Sequence, residues 1–566
     1  MVSPNINKKN DNPLTLSENC KRLFQVVYTE QNKDEKESDD SSKIKVSELI
    51  SKMSFYYEKI RNSVDYKEEY LLRKNAIERT LRRLIVIEGF LKVSESKKIA
   101  KNLMVELIRS GYLPNNKIPE IKIDEIAKII EKYIKLKTYT LARISPSSQM
   151  KKGDVMKARE ELSEKNSTTS WIIAILASEV EGSLGLDKIK ETAAGNMHDT
   201  IVKIVKLPPD LSKYEKDLEI QIYLGVYRNF LKFDYDMLSF ILFKYYNSNW
   251  NNPSDKEIAK ISKNINLIRK AIDKQLKHPL ERQLYKIISK YNVFFSVLEE
   301  LVVEDPTGVY DLIKNDPKAF PRIIKKVCTR RYKSIKSKLW RASIRSIIYI
   351  FLTKSVFVLL LEIPAIKLFN EEINYFTLGI NIVFPALLLF IIVLFTRVPS
   401  DANTTKIKEG IEELTFKDKE REEPYLLKRP VKKKGMMNAF FGIFYSATFF
   451  LSFGVVIWAL DKLNFNWVSS VIFLFFLAFV SFFSIRIRKG VKEFVVIEPT
   501  DNLFSFIIDF FYVPIVAVGK WLSEKFSKIN VFVFVLDFII EAPFKIFVEI
   551  AEDWTKYAKE RKDEIV

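Results

Sequence analysis

The run RIIKKVCTRRYKSIKSKLWRASIR (322–345) passes without a break into SIIYIFLTKSVFVLLLEIPAIKLF (346–369). The first half holds ten Lys or Arg, and no Asp or Glu occurs between Asp316 and Glu362. The second half is almost wholly apolar and approaches the roughly 20 residues that an α-helix needs to cross a bilayer. Lys and Arg resist translocation, so a basic run abutting an apolar one marks the cytoplasmic flank of a membrane helix. The junction divides the chain. Residues on its N-terminal side read as a soluble cytoplasmic part, and those on its C-terminal side read as membrane-bound.

Working outward toward the C-terminus, four apolar spans are expected at about 346–366, 375–396, 437–460 and 467–485. The connection between the second and third, 397–435, carries eleven Lys or Arg and ends in KRPVKKKG. The other two connections carry one each, Lys367 and Lys462. This contrast predicts two hairpins with their ends in the cytoplasm and both termini inside, in the cell inner membrane. Arg486, Arg488 and Lys489 after the fourth span agree with that orientation. The remainder, 493–566, reads as an interfacial or re-entrant helical region. LFSFIIDFFYVPIVAV (503–518) is short and holds Asp509 and Pro514, while Asp537, Glu541, Lys545, Glu549 and Asp553 mark one polar stripe of an amphipathic helix.

Toward the N-terminus, residues 45–342 show apolar positions at three- and four-residue steps, as in Ile77, Leu81, Leu84 and Ile85. That is the spacing of helices that bury one stripe. Pro, Asn and Asp punctuate the pattern at 110–120, 206–210, 247–255 and 304–311, and Ser254 or Asp255 is a plausible cap. SWIIAILA (170–177) is too short to cross a bilayer and reads as a buried core helix. Residues 1–44 are polar enough to predict a disordered tether, with Leu23–Tyr28 as a short docking segment. They lack the apolar core of a secretory signal, so insertion is expected to use an internal span. The fold class expected is therefore all-α: a soluble helical cytoplasmic domain, a four-helix transmembrane region (343–492) and amphipathic C-terminal helices.

Composition narrows function less than location. The formal charge of +20 suits a protein facing an anionic leaflet, and nucleic acid is disfavoured because the densest basic cluster adjoins an apolar span. Two distant cysteines, Cys20 and Cys328, exclude a disulfide scaffold. With only 15 glycines, Gly-rich phosphate loops are not expected, and no P-loop, dinucleotide, zincin or nucleophile-elbow motif occurs. His198 and His278 stand alone, too few for a metal site, so no metal, cofactor or catalytic residue is nominated.

The residues nominated for binding are basic. Arg330, Arg331, Lys333, Lys336, Lys338, Arg341, Arg345, Lys432, Lys433, Lys434, Arg486, Arg488 and Lys489 fall where lipid headgroups of an anionic inner leaflet would lie. Lys354 and Asn381 are intramembrane polar candidates: a charge near mid-bilayer costs about 2.5 to 3.5 kcal/mol unless it snorkels or finds a partner. Pairing of Lys354 with Glu362 is not expected, because eight residues separate them by roughly 12 Å along the axis. Gly442 and Ser446 form a small-xxx-small pair suited to close helix contact, including a homo-oligomer.

RKNAIERTLRRL (73–84), RSGYLPNN (109–116), RSIIYIFLTKSVFVLLLE (345–362) and GKWLSEKFSKINVFVFVLDFIIEAPFK (519–545) resemble a group of uncharacterised multi-pass integral membrane proteins of reduced-genome bacteria. The resemblance implies a membrane protein with a helical cytoplasmic domain, and it carries over no activity and no functional residue. The expected role is a membrane-anchored scaffold or adaptor that meets a protein partner through its helical domain. The alternatives are a transporter or channel component, and membrane-proximal nucleic-acid binding.

Overall fold

Apolar residues at helical spacing and few glycines to interrupt them leave the chain one economical solution, and the computed structural model is 83% helical with almost no strand. It describes residues 15–32, 42–64, 71–87, 95–144, 155–185, 187–396, 398–429, 435–497, 503–527 and 541–565. The chain divides into two compact units, Gln25–Ile288 with Val531–Val566, and Met1–Phe24 with Ser289–Asn530.

In the first unit the stripes foreseen in the sequence converge. Ile77 and Leu81 from Leu72–Arg82, Leu103 and Leu107 from Ser96–Arg109, Ile126 and Ile130 from Ile121–Ile144, and Trp171, Ile172 and Ile175 from Val155–Ser183 share one core. The 170–177 run thus lies inside that core. Ser254 caps Asp255–Lys263 through a reciprocal pairing with Glu257, which satisfies amides the first turn leaves free. One buried charge here is matched three times over. Lys74, 1% exposed, pairs with Glu78 at 3.1 Å, Asp234 at 3.0 Å and Asp236 at 2.9 Å. In the C-terminal helix Glu541–Ile565, Phe544 stacks on Tyr57 (ring centroids 4.8 Å apart) and Val548 is buried, so this helix uses an apolar face within the unit. Asp537 of its expected polar stripe lies outside the described residues.

The second unit holds the helices of membrane length: Phe320–Leu368, Tyr375–Leu394, Ala439–Lys462 and Trp467–Lys492. Their outward surface is apolar, with Leu360 69% and Phe450 73% exposed. Water would penalise a continuous belt of this kind, whereas hydrocarbon does not. Leu503–Ser527 packs on Trp467–Lys492 so closely that a Cβ on Gly519 would meet the Ala478 carbonyl oxygen at 1.9 Å. The Tyr512 hydroxyl donates to the Ser481 carbonyl at 2.9 Å, which runs the two helices antiparallel. The helix that contains 503–518 therefore lies lengthwise on an apolar helix.

Three expectations are corrected. The boundary between units falls at 288/289 and not near 342, because residues 289–345 pack onto the connection 397–435 and the end of the fourth apolar helix. Tyr291 donates to Glu413 at 2.6 Å, and Asn403 joins the Tyr332 hydroxyl to the Phe494 carbonyl, each at 3.0 Å. That connection is itself structured: Asp401–Thr415 is a helix with Ile407 and Ile411 wholly buried and Gly410 fitted against the Phe294 ring. Finally, the polar N-terminal stretch is not all tether. Glu18–Gln31 is helical, with Cys20, Leu23, Phe24 and Val27 buried. Just ahead of it the Ser17 amide donates to the Thr415 carbonyl at 2.8 Å, and the Lys417 amide to the Thr15 carbonyl at 2.9 Å. Four apolar residues at helical spacing and a borrowed backbone partner were enough to order it.

Candidate functional site

Lys354 and Glu362 are the two charges set well inside the four apolar helices, and the fold brings them together. In a regular α-helix a residue eight positions on lies about 80° around the axis. Here Val358–Glu362 forms a π-helical turn between Phe320–Phe357 and Ile363–Leu368. A π turn takes in one extra residue, so eight residues cover roughly the rotation of seven, and Glu362 returns to the side of Lys354. Lys354 Nζ stands 3.5 Å from Glu362 Oε2, and both side chains are 0% exposed. The extended lysine stem spans the axial gap on which the sequence argument against pairing rested. Of the two alternatives open to Lys354, snorkelling or a partner, the fold supplies the partner.

Neighbouring helices complete the arrangement. Asn374 caps Tyr375–Leu394 through the Phe376 and Thr377 amides, and Asn466 caps Trp467–Lys492 through the Ser469 amide. Asn466 also donates to the Glu372 carbonyl at 3.2 Å, tying the two helix starts together. From these anchored ends Asn381 Nδ2 donates to Glu362 Oε1 at 2.6 Å and Ser469 Oγ donates to the same oxygen at 2.8 Å. Asn381 Nδ2 shares a further bond with the Ser469 carbonyl at 3.3 Å. The Lys354 ammonium sits over the Phe476 ring, 4.0 Å from its centroid, with Phe357 at 5.3 Å. One carboxylate oxygen is thus gripped from two neighbouring helices. Among the described residues, Lys354 Nζ, Glu362 Oε2 and Asn381 Oδ1 have no hydrogen-bond partner. Sequence reasoning singled out Lys354 and Asn381 and missed Ser469, Phe357 and Phe476. Ser469 sits in the first turn of an apolar helix and carries no signal of its own.

The basic residues separate into groups. Arg330 pairs with Glu300 and Glu304 at 2.7 Å each, and Arg331 binds Glu300 and Ser296 under the Phe494 ring. Both are thus engaged by protein groups. Lys333, Lys336, Lys338, Arg341 and Arg345 are exposed. Arg486 is exposed, Arg488 is half-buried against the Ser484 carbonyl, and Lys489 faces Glu493 at 3.7 Å. Lys432, Lys433 and Lys434 lie outside the described residues. Gly442 and Ser446 are exposed on Gly435–Lys462, with nothing within 4 Å of where a Gly442 Cβ would stand.

A second feature belongs to the other unit. A cleft of about 930 Å³ opens between Val155–Ser183, Lys188–Ile204, Glu215–Asn229 and Tyr235–Tyr246. Its wall is a relay of rings. His198 meets Tyr223 edge-on at 5.6 Å, Tyr223 stacks on Tyr227 at 4.2 Å, and Tyr227 meets Phe233 at 5.2 Å. Burial raises both phenols above the ordinary tyrosine range, so they stay neutral donors. Such a wall accepts an apolar or aromatic group of a ligand or partner. The other histidine is packed away: His278 Nδ1 accepts from the Leu280 amide at 3.3 Å. Among the described residues no three His, Cys, Asp or Glu are placed to hold a metal ion. Cys20 and Cys328 are free and buried. No protein-family model, curated protein or solved structure matches the chain.

Proposed function

We propose that this protein is a multi-pass integral membrane protein of the cell inner membrane that presents a helical unit at the cytoplasmic leaflet as a scaffold or adaptor, both termini inside. The observation that carries the reading is the single helix Phe320–Leu368, which passes from a face of exposed Lys333, Lys336, Lys338, Arg341 and Arg345 into a lipid-compatible apolar length. Cations at that level each gain about 1 kcal/mol from an anionic leaflet. The short connections near Glu372 and Lys462 carry little positive charge, as loops facing away from the cytoplasm do. The aromatic cleft supplies a surface for a partner's apolar side chain.

The test is topological. Glu372→Cys and Glu420→Cys, both at exposed positions, are labelled with a membrane-impermeant thiol reagent in intact cells, the native cysteines being buried. The reading requires Glu372→Cys to react and Glu420→Cys to react only after permeabilisation; the opposite pattern sinks it. A second reading, a component of a transport path, is favoured by the buried Lys354–Glu362 pair, since ionisable groups inside spans commonly mark ion pathways.

A further inference from the structure

We infer that the C-terminal helix Glu541–Ile565 lies along the surface of the lipid bilayer, with one apolar face on its own unit and a second in the acyl chains just below the headgroups. The inference rests on the membrane reading above and adds a lipid contact that owes nothing to the basic face of Phe320–Leu368. Its ground is an apolar circumference only partly covered. Phe544 stacks on Tyr57 of Glu48–Val64, and Val548 is buried. Ile546, Phe547, Ile550, Trp554 and Tyr557 are 55 to 68% exposed and fall within about 100° of arc, centred about 130° round from Phe544 and Val548. Docking on the unit needs no second face of this kind, and water penalises one. The helix it packs on adds to the bare surface: Met53, Tyr56 and Ile60, at i, i+3, i+7 spacing, are exposed as well.

Three features select lipid as the occupant. Trp554 and Tyr557 are side chains that settle where hydrocarbon meets headgroup, because an apolar ring there keeps its N–H or O–H wet. The chain also arrives from apolar surroundings. Residues 528–540 join this helix to Leu503–Ser527, which packs along an apolar helix of membrane length, and ten of these thirteen are Val, Ile, Leu or Phe. A join of that length reaches at most about 50 Å, so in a bilayer crossed by those helices the C-terminal helix cannot start far from the surface. Charge, finally, disfavours a second copy. Residues 541–566 carry five Lys or Arg and seven Asp or Glu, so two such helices laid together repel, and a two-stranded seam uses a narrower stripe than this arc. The same acidic excess earns no attraction to an anionic leaflet. Apolar burial alone therefore holds the helix, and the contact is indifferent to salt.

The experiment is spin-label accessibility on the full chain in vesicles of neutral phosphatidylcholine, alone and mixed with anionic phosphatidylglycerol. Ile550→Cys and Trp554→Cys place labels on the bare arc, Glu560→Cys and Lys562→Cys place them off it, and Leu360→Cys and Phe450→Cys place them on the apolar helices. All six positions are exposed and the native cysteines are buried. Oxygen, which partitions into hydrocarbon, should collide with the labels at 550 and 554, and a water-soluble nickel chelate should not. The oxygen-to-nickel collision ratio there should exceed that at 560 and 562 about tenfold, in both lipids and at high salt. Nickel reaching 550 and 554 overturns the inference. Exclusion of both reagents overturns it too, since protein then covers the face, and broadening between labels on separate copies would identify that protein as this chain. Shielding found only in the anionic vesicles is a third overturning result. Leu360→Cys and Phe450→Cys tell the failures apart: nickel contact there sinks the membrane reading, whereas lipid contact there with water at 550 and 554 sinks this inference alone.

Discussion

Replacing Lys354 by Met leaves the volume of the side chain nearly unchanged and removes its charge. Glu362 would then be a carboxylate with no cation beside it, 0% exposed and stabilised only by Asn381 and Ser469. Removing one partner of a buried pair costs about 3 to 5 kcal/mol, and no solvent screening reduces that here because neither side chain reaches water. Glu362→Gln should cost a similar amount, since it strands the ammonium while keeping an acceptor for Asn381 and Ser469. The double variant removes both charges and should lie within about 1 to 2 kcal/mol of the original protein, because well-packed neutral groups replace an ion pair at little cost. The cycle should therefore show a coupling energy of about 3 kcal/mol or more. Reversible unfolding in mixed micelles at increasing denaturing-detergent fraction measures all four of its corners. If Lys354→Met costs less than about 1 kcal/mol and the two changes are additive, Lys354 finds water independently of Glu362, and the π turn has no electrostatic purpose.

Other outcomes test other parts of the molecule. In the helical unit, Lys74→Met leaves Glu78, Asp234 and Asp236 without their shared cation and should destabilise by about 3 to 5 kcal/mol in denaturant melts. Burial first, against the opposing pull of Asp217, holds His278 below its ordinary 6.5. A depressed folded value means that its contribution is complete above pH 6.5 and is lost as pH falls through the lower folded value, so His278→Gln should flatten the stability–pH curve just below 6.5. Gly519→Leu must push Leu503–Ser527 off the Ala478 carbonyl, costing about 1 to 3 kcal/mol and exposing the segment to protease. Lys336→Ala should leave stability unchanged yet weaken binding to anionic vesicles by about 1 kcal/mol, whereas Arg331→Ala should lower stability, since Arg331 holds Glu300 and Ser296.

How much of this was legible depended on whether the signal was local. The apolar stripes of residues 72–183 announced a helical core, and the helices of membrane length were readable because hydropathy and length belong to contiguous residues. Arg330 and Arg331 looked like their basic neighbours, but Glu300 and Glu304 sit 26 to 31 residues away and claim them only after two helices pack. The same holds for Ser469, 107 residues from the carboxylate it binds. The expected division at 342 failed because a change in composition is not a change in packing: Tyr332 and Asn403 bind residues 71 to 91 positions apart.

Sequence alone determined helix over strand, and which lengths are apolar enough to cross a membrane, because both arise from side-chain transfer and periodicity summed along a continuous segment. Tertiary structure alone decided where the lysine in the first apolar helix goes. That outcome turns on one π turn and on two asparagine caps that anchor neighbouring helices at the right height. Backbone winding and helix register are cooperative properties of packed elements, and a buried charge is stable only in the geometry they impose.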